Sequence, residues 1–203
     1  MKKIMVLILA LICVFGLCAC DEEIGKVKIS FTRGETNEHV YVNESINIKF
    51  TKTENMVYST DEELAAIMNI SLEVLTDNKA LFEQAKLSVI TCFMATDVTT
   101  RNNLVLVMED LKLSGSSNIT TKQYFEAVKS QLQMQTSITY TIGETSTAKL
   151  GNETYDVLSL TASANGVTMA QNMYIRKVGS YMVCLTITSV DGTEMSTFEA
   201  MFS

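Results

Sequence analysis

The single histidine and the five cysteines are the side chains of this chain best suited to nucleophilic chemistry. A Ser-His-Asp or Cys-His system needs a base within hydrogen-bond reach of the nucleophile. His39 lies at the start of a predicted strand, and no G-x-S-x-G segment occurs in the sequence. His39 is therefore predicted to face solvent, and no catalytic residue is assigned.

Metal ligands and paired carboxylates do not form a clearer site. Zinc requires several Cys or His ligands at close spacing, whereas Cys92, Cys184 and His39 are far apart in the sequence. The acidic clusters at 61–63 and 109–110 lack the glycine and the spacing of a calcium loop, and glycine-rich phosphate loops are absent. No metal or cofactor is therefore expected, while a carboxylate pair that meets only in the fold stays open.

The first nineteen residues have the composition of an export signal. Lys2 and Lys3 precede the apolar run 4–17, and acidic residues follow at 21–23. The run is shorter than the roughly 20 apolar residues that a membrane-spanning helix needs. A cleaved signal peptide over residues 1–19 is therefore predicted in preference to a transmembrane helix.

The end of this segment resembles a bacterial lipobox. Leu17-Cys18-Ala19-Cys20 places a small residue directly before a cysteine. The resemblance to bacterial lipoproteins implies cleavage before Cys20 and a diacylglycerol on its sulfur, and two acyl chains suffice for stable anchoring. Cys18 is the competing attachment point, but bulky Leu17 would then lie where the peptidase needs a small residue. A lipid on Cys20 predicts attachment to the extracytoplasmic face of the cell membrane.

The remaining chain is acidic and long enough for one domain with a substantial core. Because Lys2 and Lys3 leave with the signal, the formal charge falls from −7 for the whole chain to −9. Such acidity argues against nucleic acid as a partner, since phosphate binding needs clustered Lys and Arg. Cys92 and Cys184 lie in apolar runs and are predicted to be free buried thiols, with a disulfide between them as the alternative.

Hydrophobic periodicity predicts an α+β domain over residues 39–203, preceded by a lipidated tether over residues 20–38. Thr60 and Thr120 each have Glu or Gln three residues later, the pattern of a capping box. The predicted elements are a first strand near 27–31, a hairpin around 43–45, a helix from Thr60, strands 87–95 and 103–112, a helix from Thr120 to about Gln135, a four-strand meander from Ser137 with tight turns at Asn165-Gly166 and Gly179-Ser180, and a helix within 191–202.

The order of these elements resembles the PsbP/Mog1-like fold, an antiparallel sheet of about six to eight strands flanked by two or three helices in an α/β/α sandwich. The likeness is greatest where Leu150-Gly151-Asn152-Glu153-Thr154-Tyr155 precedes a strand and Gly166 opens the run 171–179. Small surface lipoproteins of Gram-positive bacteria with this fold show a similar run. The resemblance implies a binding module or an accessory subunit. It implies no particular ligand, because fold alone does not fix function.

Three roles follow as hypotheses. The first is a non-enzymatic surface lipoprotein that binds an envelope protein or a small ligand through one sheet face or through the loops 96–102 and 113–119. The second is an envelope hydrolase that uses a carboxylate pair. The third is a spacer or an assembly factor for an envelope complex.

Overall fold

The computed structural model describes residues 32–68, Leu75 and residues 89–203. The predicted signal peptide, the predicted lipid-attachment residue Cys20 and the strand predicted near 27–31 lie outside these residues. Within the described part of the chain, no helix is both long enough and apolar enough to span a membrane.

The described residues form ten strands and three α-helices. In chain order they are β1 (Glu35–Thr36), β2 (Val40–Asn43), β3 (Ile48–Thr51), β4 (Met56–Tyr58), α1 (Asp61–Met68), β5 (Val89–Asp97), β6 (Asn103–Asp110), α2 (Thr121–Met134), β7 (Thr139–Leu150), β8 (Glu153–Ala164), β9 (Val167–Val178), β10 (Tyr181–Ser189) and α3 (Met195–Glu199). A 3-10 turn, Glu44–Ile46, joins β2 to β3.

Seven strands form the main sheet, in the order β4-β5-β6-β10-β9-β8-β7, and every neighbouring pair is antiparallel. A second, three-stranded sheet has the order β1-β2-β3. Asn165 and Gly166 turn from β8 into β9 with φ angles of 51° and 78°, as a tight hairpin turn requires. The predicted α+β fold, one antiparallel sheet flanked by helices, is confirmed.

The small sheet covers one face of the main sheet. Phe50 of β3 stacks on Phe93 of β5 with ring centroids 5.2 Å apart, and Phe202 lies 5.1 Å from Phe50. Phe198 of α3 joins the same buried cluster. This face of the predicted α/β/α sandwich is therefore covered mainly by β-structure, because the hairpin of β2 and β3 presents its apolar side to the sheet.

Two helices cover the opposite face. The apolar side of α2 packs on β8, β9 and β10, and α1 packs with Leu75 on β5 and β6. Both predicted capping boxes are present. The Glu63 amide donates to Thr60 Oγ1 at 3.2 Å, and the Gln123 amide donates to Thr120 Oγ1 at the same distance. Local side-chain chemistry therefore sets where both helices begin.

Three elements differ from the sequence expectation. Strand β1, at Glu35–Thr36, lies within the range 20–38 that was predicted as a tether. The three-residue strand β4 follows directly on a turn and was not predicted, because three residues are too few for a period-2 pattern. The predicted C-terminal helix within 191–202 is only five residues long. Asp191 Oδ1 accepts hydrogen bonds from the amide and the hydroxyl of Thr193, and this local turn precedes the helix start at Met195.

Candidate functional site

A cleft of about 390 Å³ opens between the first described residues and the junction of β4 with α1. One wall consists of Arg33, Gly34, Glu35 and Thr36, the other of Tyr58, Ser59, Asp61 and Leu64, and Cys92 and Phe93 of β5 also line it. Its volume lies within the range of small-ligand pockets, about 300–1,000 Å³. We call residues 32–36 the entry segment, because they lie near the end of the range 20–38 that is predicted as a tether.

A buried polar cluster holds the entry segment against the domain. Tyr41 Oη donates to the Arg33 carbonyl at 2.7 Å, and Asn43 Nδ2 donates to the Thr32 carbonyl at 2.9 Å and to Tyr41 Oη at 3.1 Å. Gly34 has φ +81°, and a Cβ at this position would lie 2.6 Å from Tyr41 Oη. Only glycine fits this close approach without displacement of the tyrosine.

An ion pair joins the two walls. Arg33 Nη2 lies 2.5 Å from Asp61 Oδ1, with 14% of the arginine side chain and 44% of the aspartate side chain exposed. Arg33 Nη1 also donates to the Leu75 carbonyl at 3.3 Å. Asp61 belongs to the acidic first turn of α1, where a carboxylate is favoured by the helix dipole. The guanidinium thus ties the entry segment to the start of α1.

Aromatic rings and a thiol form the inner part of the cleft. Tyr58 stands edge-on to Phe93 with ring centroids 6.0 Å apart, and Lys52 Nζ lies 5.9 Å from the Tyr58 ring centroid. Burial raises the pKa of the Cys92 thiol to about 12. Since the thiolate is the nucleophilic form, Cys92 is an unreactive, apolar part of the lining at neutral pH.

The polar groups of the cleft are suited to recognition. Glu35 and Asp61 provide carboxylates, and Thr36 and Ser59 provide hydroxyl groups. Glu35 is exposed, and its carboxylate forms no ion pair with the residues that the structure describes. Across residues 32–68, Leu75 and 89–203, no three His, Cys, Asp or Glu side chains are grouped as metal ligands. The arrangement can bind a polar ligand by charge and hydrogen bonds.

Two predictions are confirmed, that His39 faces solvent and that the two cysteines are free, buried thiols. His39 precedes β2 and is exposed, with Nε2 3.9 Å from Glu38 Oε1. Cys92 and Cys184 are free and buried, and they belong to the clusters on opposite faces of the main sheet. β6 lies between their strands, so two strand spacings of about 5 Å separate the backbones. That separation exceeds the roughly 7 Å limit between the Cα atoms of a disulfide.

The two loops considered as binding surfaces lie at opposite ends of β6, since loop 96–102 precedes this strand and loop 113–119 follows it. Asn102 Nδ2 donates to Asp191 Oδ1 at 2.8 Å and secures the first loop. Lys177 Nζ donates to two carbonyl groups of the second loop at 2.8 and 3.0 Å. They therefore form two separate surfaces, and neither loop lines the cleft.

The acidic pair at 109–110 is divided between two environments. Glu109 is 2% exposed, and its Oε2 accepts a hydrogen bond from Tyr124 Oη of α2 at 2.9 Å. Burial raises the pKa of Glu109 above its usual range. Asp110 Oδ1 instead accepts the amides of Lys112 and Leu113 and shapes the turn after β6. The two carboxylates do not form a catalytic pair.

Sequence reasoning missed the residues that form the cleft. Arg33 and Glu35 fall within the range predicted as a tether, and Arg33 meets Asp61 across 28 positions of sequence. Tyr58 lies in the short strand β4, which carries no periodic signal. Contacts of this kind exist only after the strands have packed, so no local pattern of residues indicates them.

Comparison with known proteins yields a likeness of fold. No family model matches the sequence, and no curated protein matches it. The chain is similar to the solution structure of cyanobacterial PsbP (CyanoP) from Synechocystis sp. PCC 6803, with a TM-score of 0.45 and 9% identity over 90% of this chain and 97% of that chain. It is also similar to a crystal structure from Bacteroides thetaiotaomicron VPI-5482, with a TM-score of 0.39 and 12% identity over 77% of this chain and 44% of that chain. At these identities the likeness concerns the fold alone.

Proposed function

We propose that this chain is a non-enzymatic binding module, held on the extracytoplasmic face of the cell membrane by a lipid on Cys20, whose cleft takes up a small ligand or part of an envelope protein. The observation that carries the proposal is the position of the cleft, which has the entry segment as one of its walls. Recognition would therefore take place where the tether meets the domain.

The length of the tether supports a site close to the membrane. Twelve residues, 20–31, separate the proposed lipid from the entry segment. Even a fully extended chain of this length spans no more than about 40 Å. Because the entry segment is hydrogen-bonded to Tyr41 and Asn43, the cleft lies at the end of the tether and not on a distant surface of the domain.

The reactive groups of the described residues favour binding over catalysis. Burial raises the pKa of both Cys92 and Cys184 to about 12, which keeps the thiols protonated. Glu109 lies beneath α2 in contact with Tyr124, away from the cleft. These groups serve packing, and the cleft is left with charged and hydrogen-bonding groups that are suited to holding a ligand.

Metabolic labelling with a fatty acid tests the anchor. We expect label in the wild type and in Cys18→Ser, and its loss in Cys20→Ser together with release of the protein from the membrane fraction. Cys18→Ser is the matched control, because it removes a neighbouring thiol without removing the proposed attachment point. Equal labelling of the wild type and Cys20→Ser would contradict the anchor.

A cleft-filling variant tests the binding site. Ser59→Trp should abolish capture of the partner from solubilised envelope, or the thermal shift produced by a ligand from a small-molecule screen. Thr51→Trp, on an exposed position of β3, is the control and should behave as the wild type. Capture or thermal shifts that Ser59→Trp leaves intact would place recognition elsewhere.

A hydrolase is the second candidate, because Glu35 and Asp61 line the same cleft. Glycoside hydrolysis needs one carboxyl group as acid and a second carboxylate as base or nucleophile. Asp61 is paired with Arg33 and Glu35 is solvent-exposed, whereas a general acid is normally kept protonated by burial. Turnover of chromogenic glycosides that is lost in both Glu35→Gln and Asp61→Asn would establish the enzyme, and no turnover by the wild type would reject it.

A further inference from the structure

We propose that strand β7 pairs with β7 of a second copy of this chain, so that the two main sheets join edge to edge in an antiparallel dimer with its twofold axis at Ala148. β7 is the outer strand of the main sheet, and none of its residues lines the cleft. The dimer is therefore a property of the domain beyond the proposed binding site.

Among the described strands, β7 provides the one long open edge. The two sheets have four outer strands, of which β1 and β4 are only two and three residues long. The end of the chain already occupies β3, where the Thr51 amide donates to the Met201 carbonyl at 2.9 Å and the Ser203 amide donates to the Lys49 carbonyl at 3.0 Å. β7 is twelve residues long and pairs with β8 alone. An edge of this length is a template for a further strand.

A bulge limits the part of β7 that can pair. The register with β8 shifts between Ile142 and Thr145 and is regular from Thr145 to Leu150. This straight part contains no proline, so each of its amides that points away from β8 can donate to a partner strand. Residues 145–147 and Lys149 are exposed. Five or six residues of each chain can therefore take part.

Symmetry leaves two registers for pairing between identical strands. Opposite residues of an antiparallel pair lie on the same face of the sheet, whereas neighbours along one strand lie on opposite faces. A twofold axis between two copies of β7 must therefore place one residue opposite its own copy. Five-residue pairing within the straight part is then centred on Thr147 or on Ala148.

Two charged side chains select Ala148 as the centre. Lys149 and Asp156 form no ion pair with any residue that the structure describes. Asp156 lies opposite Thr147 in the pairing of β8 with β7. An axis at Ala148 places Lys149 opposite Thr147 of the second copy. Asp156 of that copy then lies on the same face, two strand spacings of about 5 Å from Lys149.

The flexible four-carbon stem of Lys149 can bring its ammonium to the Asp156 carboxylate of the second copy. Symmetry forms this ion pair twice in each dimer. An axis at Thr147 would instead place Lys149 in line with Leu158 of the second copy, which is fully buried and apolar. Charge complementarity thus favours a second copy as the partner and Ala148 as the centre.

Cross-linking in intact cells that produce the full chain tests the pairing. Ala148→Cys places two thiols on the axis, where opposite Cα atoms are about 4.5–5.5 Å apart, within the range of a disulfide. Oxidation by copper phenanthroline in air should then give a covalent dimer on a non-reducing gel. Ser146→Cys is the matched control, because its two thiols would lie four positions apart along the strands, about 14 Å. This variant and the wild type, which carries the native cysteines, should give no such dimer.

Charge reversal tests the ion pairs by sedimentation in a Cys20→Ser background. Lys149→Asp alone, or Asp156→Lys alone, brings like charges together in both pairs and should weaken the dimer roughly tenfold. An equal mixture of the two variants should recover the affinity of the unreversed protein, because both pairs are attractive again in the mixed dimer. Recovery of this kind cannot arise within one chain. Lys112→Asp is the control with the same charge change, on the turn after β6, and should leave the affinity unchanged.

Three results would overturn the proposal. Thr147→Cys cross-linking as well as Ala148→Cys would show that the register is wrong. A monomer in solution together with no cross-link above the wild-type level in cells would reject the pairing. A cross-linked product of another mass would show that β7 accepts a strand of a different protein. None of these results depends on the cleft, so the proposed binding site stands or fails by its own tests.

Discussion

Replacement of Gly34 by alanine should destabilise the domain by about 3 kcal/mol. The left-handed backbone at this position costs a residue with a Cβ about 1–2 kcal/mol. The new Cβ would also lie 2.6 Å from Tyr41 Oη and 2.7 Å from the Val42 carbonyl. Tyr41 must then move away from the Arg33 carbonyl, and the loss of that buried hydrogen bond costs roughly 1–2 kcal/mol more.

Gly166 provides the matched control for this prediction. Its φ of +78° is nearly the same as the +81° of Gly34, but a Cβ there would meet no atom within 4 Å. Gly166→Ala should therefore show only the backbone cost of about 1–2 kcal/mol. The difference between the two variants isolates the displacement of Tyr41 from the backbone strain.

Urea and thermal unfolding of both variants, in a Cys20→Ser background, provide the measurement. About 3 kcal/mol corresponds to a fall in Tm of roughly 6–12 °C for a domain of this size. Tyr41→Phe offers a second check, since Gly34→Ala should cost less when the hydroxyl group is already absent. Equal destabilisation by Gly34→Ala and Gly166→Ala would refute the role assigned to the entry segment.

Three further predictions concern the buried groups. Because burial raises the pKa of Glu109, the folded protein binds the proton of this carboxyl group more tightly than the unfolded chain does. The wild type should therefore lose stability relative to Glu109→Gln as the pH rises above the usual pKa of glutamate. A difference between their urea midpoints that does not change with pH would contradict this. Burial raises the pKa values of Cys92 and Cys184 to about 12, so both thiols should resist alkylation at pH 8 in the folded protein and react in urea. Mass spectrometry follows the reaction, and rapid labelling of the folded protein would be inconsistent with their burial. Arg176→Ala removes the partner of Glu153 and of the Ile46 carbonyl, and it should lower the free energy of unfolding in urea by about 2–3 kcal/mol. Lys129→Ala, in the exposed pair with Glu126 on α2, should lower it by less than about 0.5 kcal/mol. Similar losses in the two variants would show that the Arg176 network is not stabilising.

Helix starts and tight turns could be predicted from the sequence, because they depend on residues that are neighbours in the chain. The capping boxes at Thr60 and Thr120 involve side chains and amides three positions apart, so the helix starts could be derived without any tertiary contact. Asn165-Gly166 likewise predicts a tight turn, because both residues tolerate a positive φ. Alternation along β8 then indicates which residues face the core, whereas β10 is an apolar run buried on both faces of the sheet.

The residues of the cleft could not be predicted from these local patterns. Its walls join Arg33 to Asp61 and bring both beside Phe93, and these contacts connect three elements that are separate in the sequence. The range 20–38 is charged and nearly aperiodic, so composition indicates a tether, while Tyr41 and Asn43 bind its last part through buried hydrogen bonds. A satisfied polar cluster leaves no periodic signal, because its energy depends on geometry and not on hydrophobic spacing.

The sequence by itself determined the class of fold, the helix starts, the hairpin turns and the prediction of a lipid on Cys20, since each depends on residues within a few positions of one another. Only the tertiary structure decided that the two thiols lie on opposite faces of the sheet, that loops 96–102 and 113–119 lie at opposite ends of β6, and that Glu35 and Asp61 line one cleft. The physical reason is that these relations follow from strand order and from the packing of one sheet on another. Long-range contacts of that kind form only when the whole chain has closed around its core.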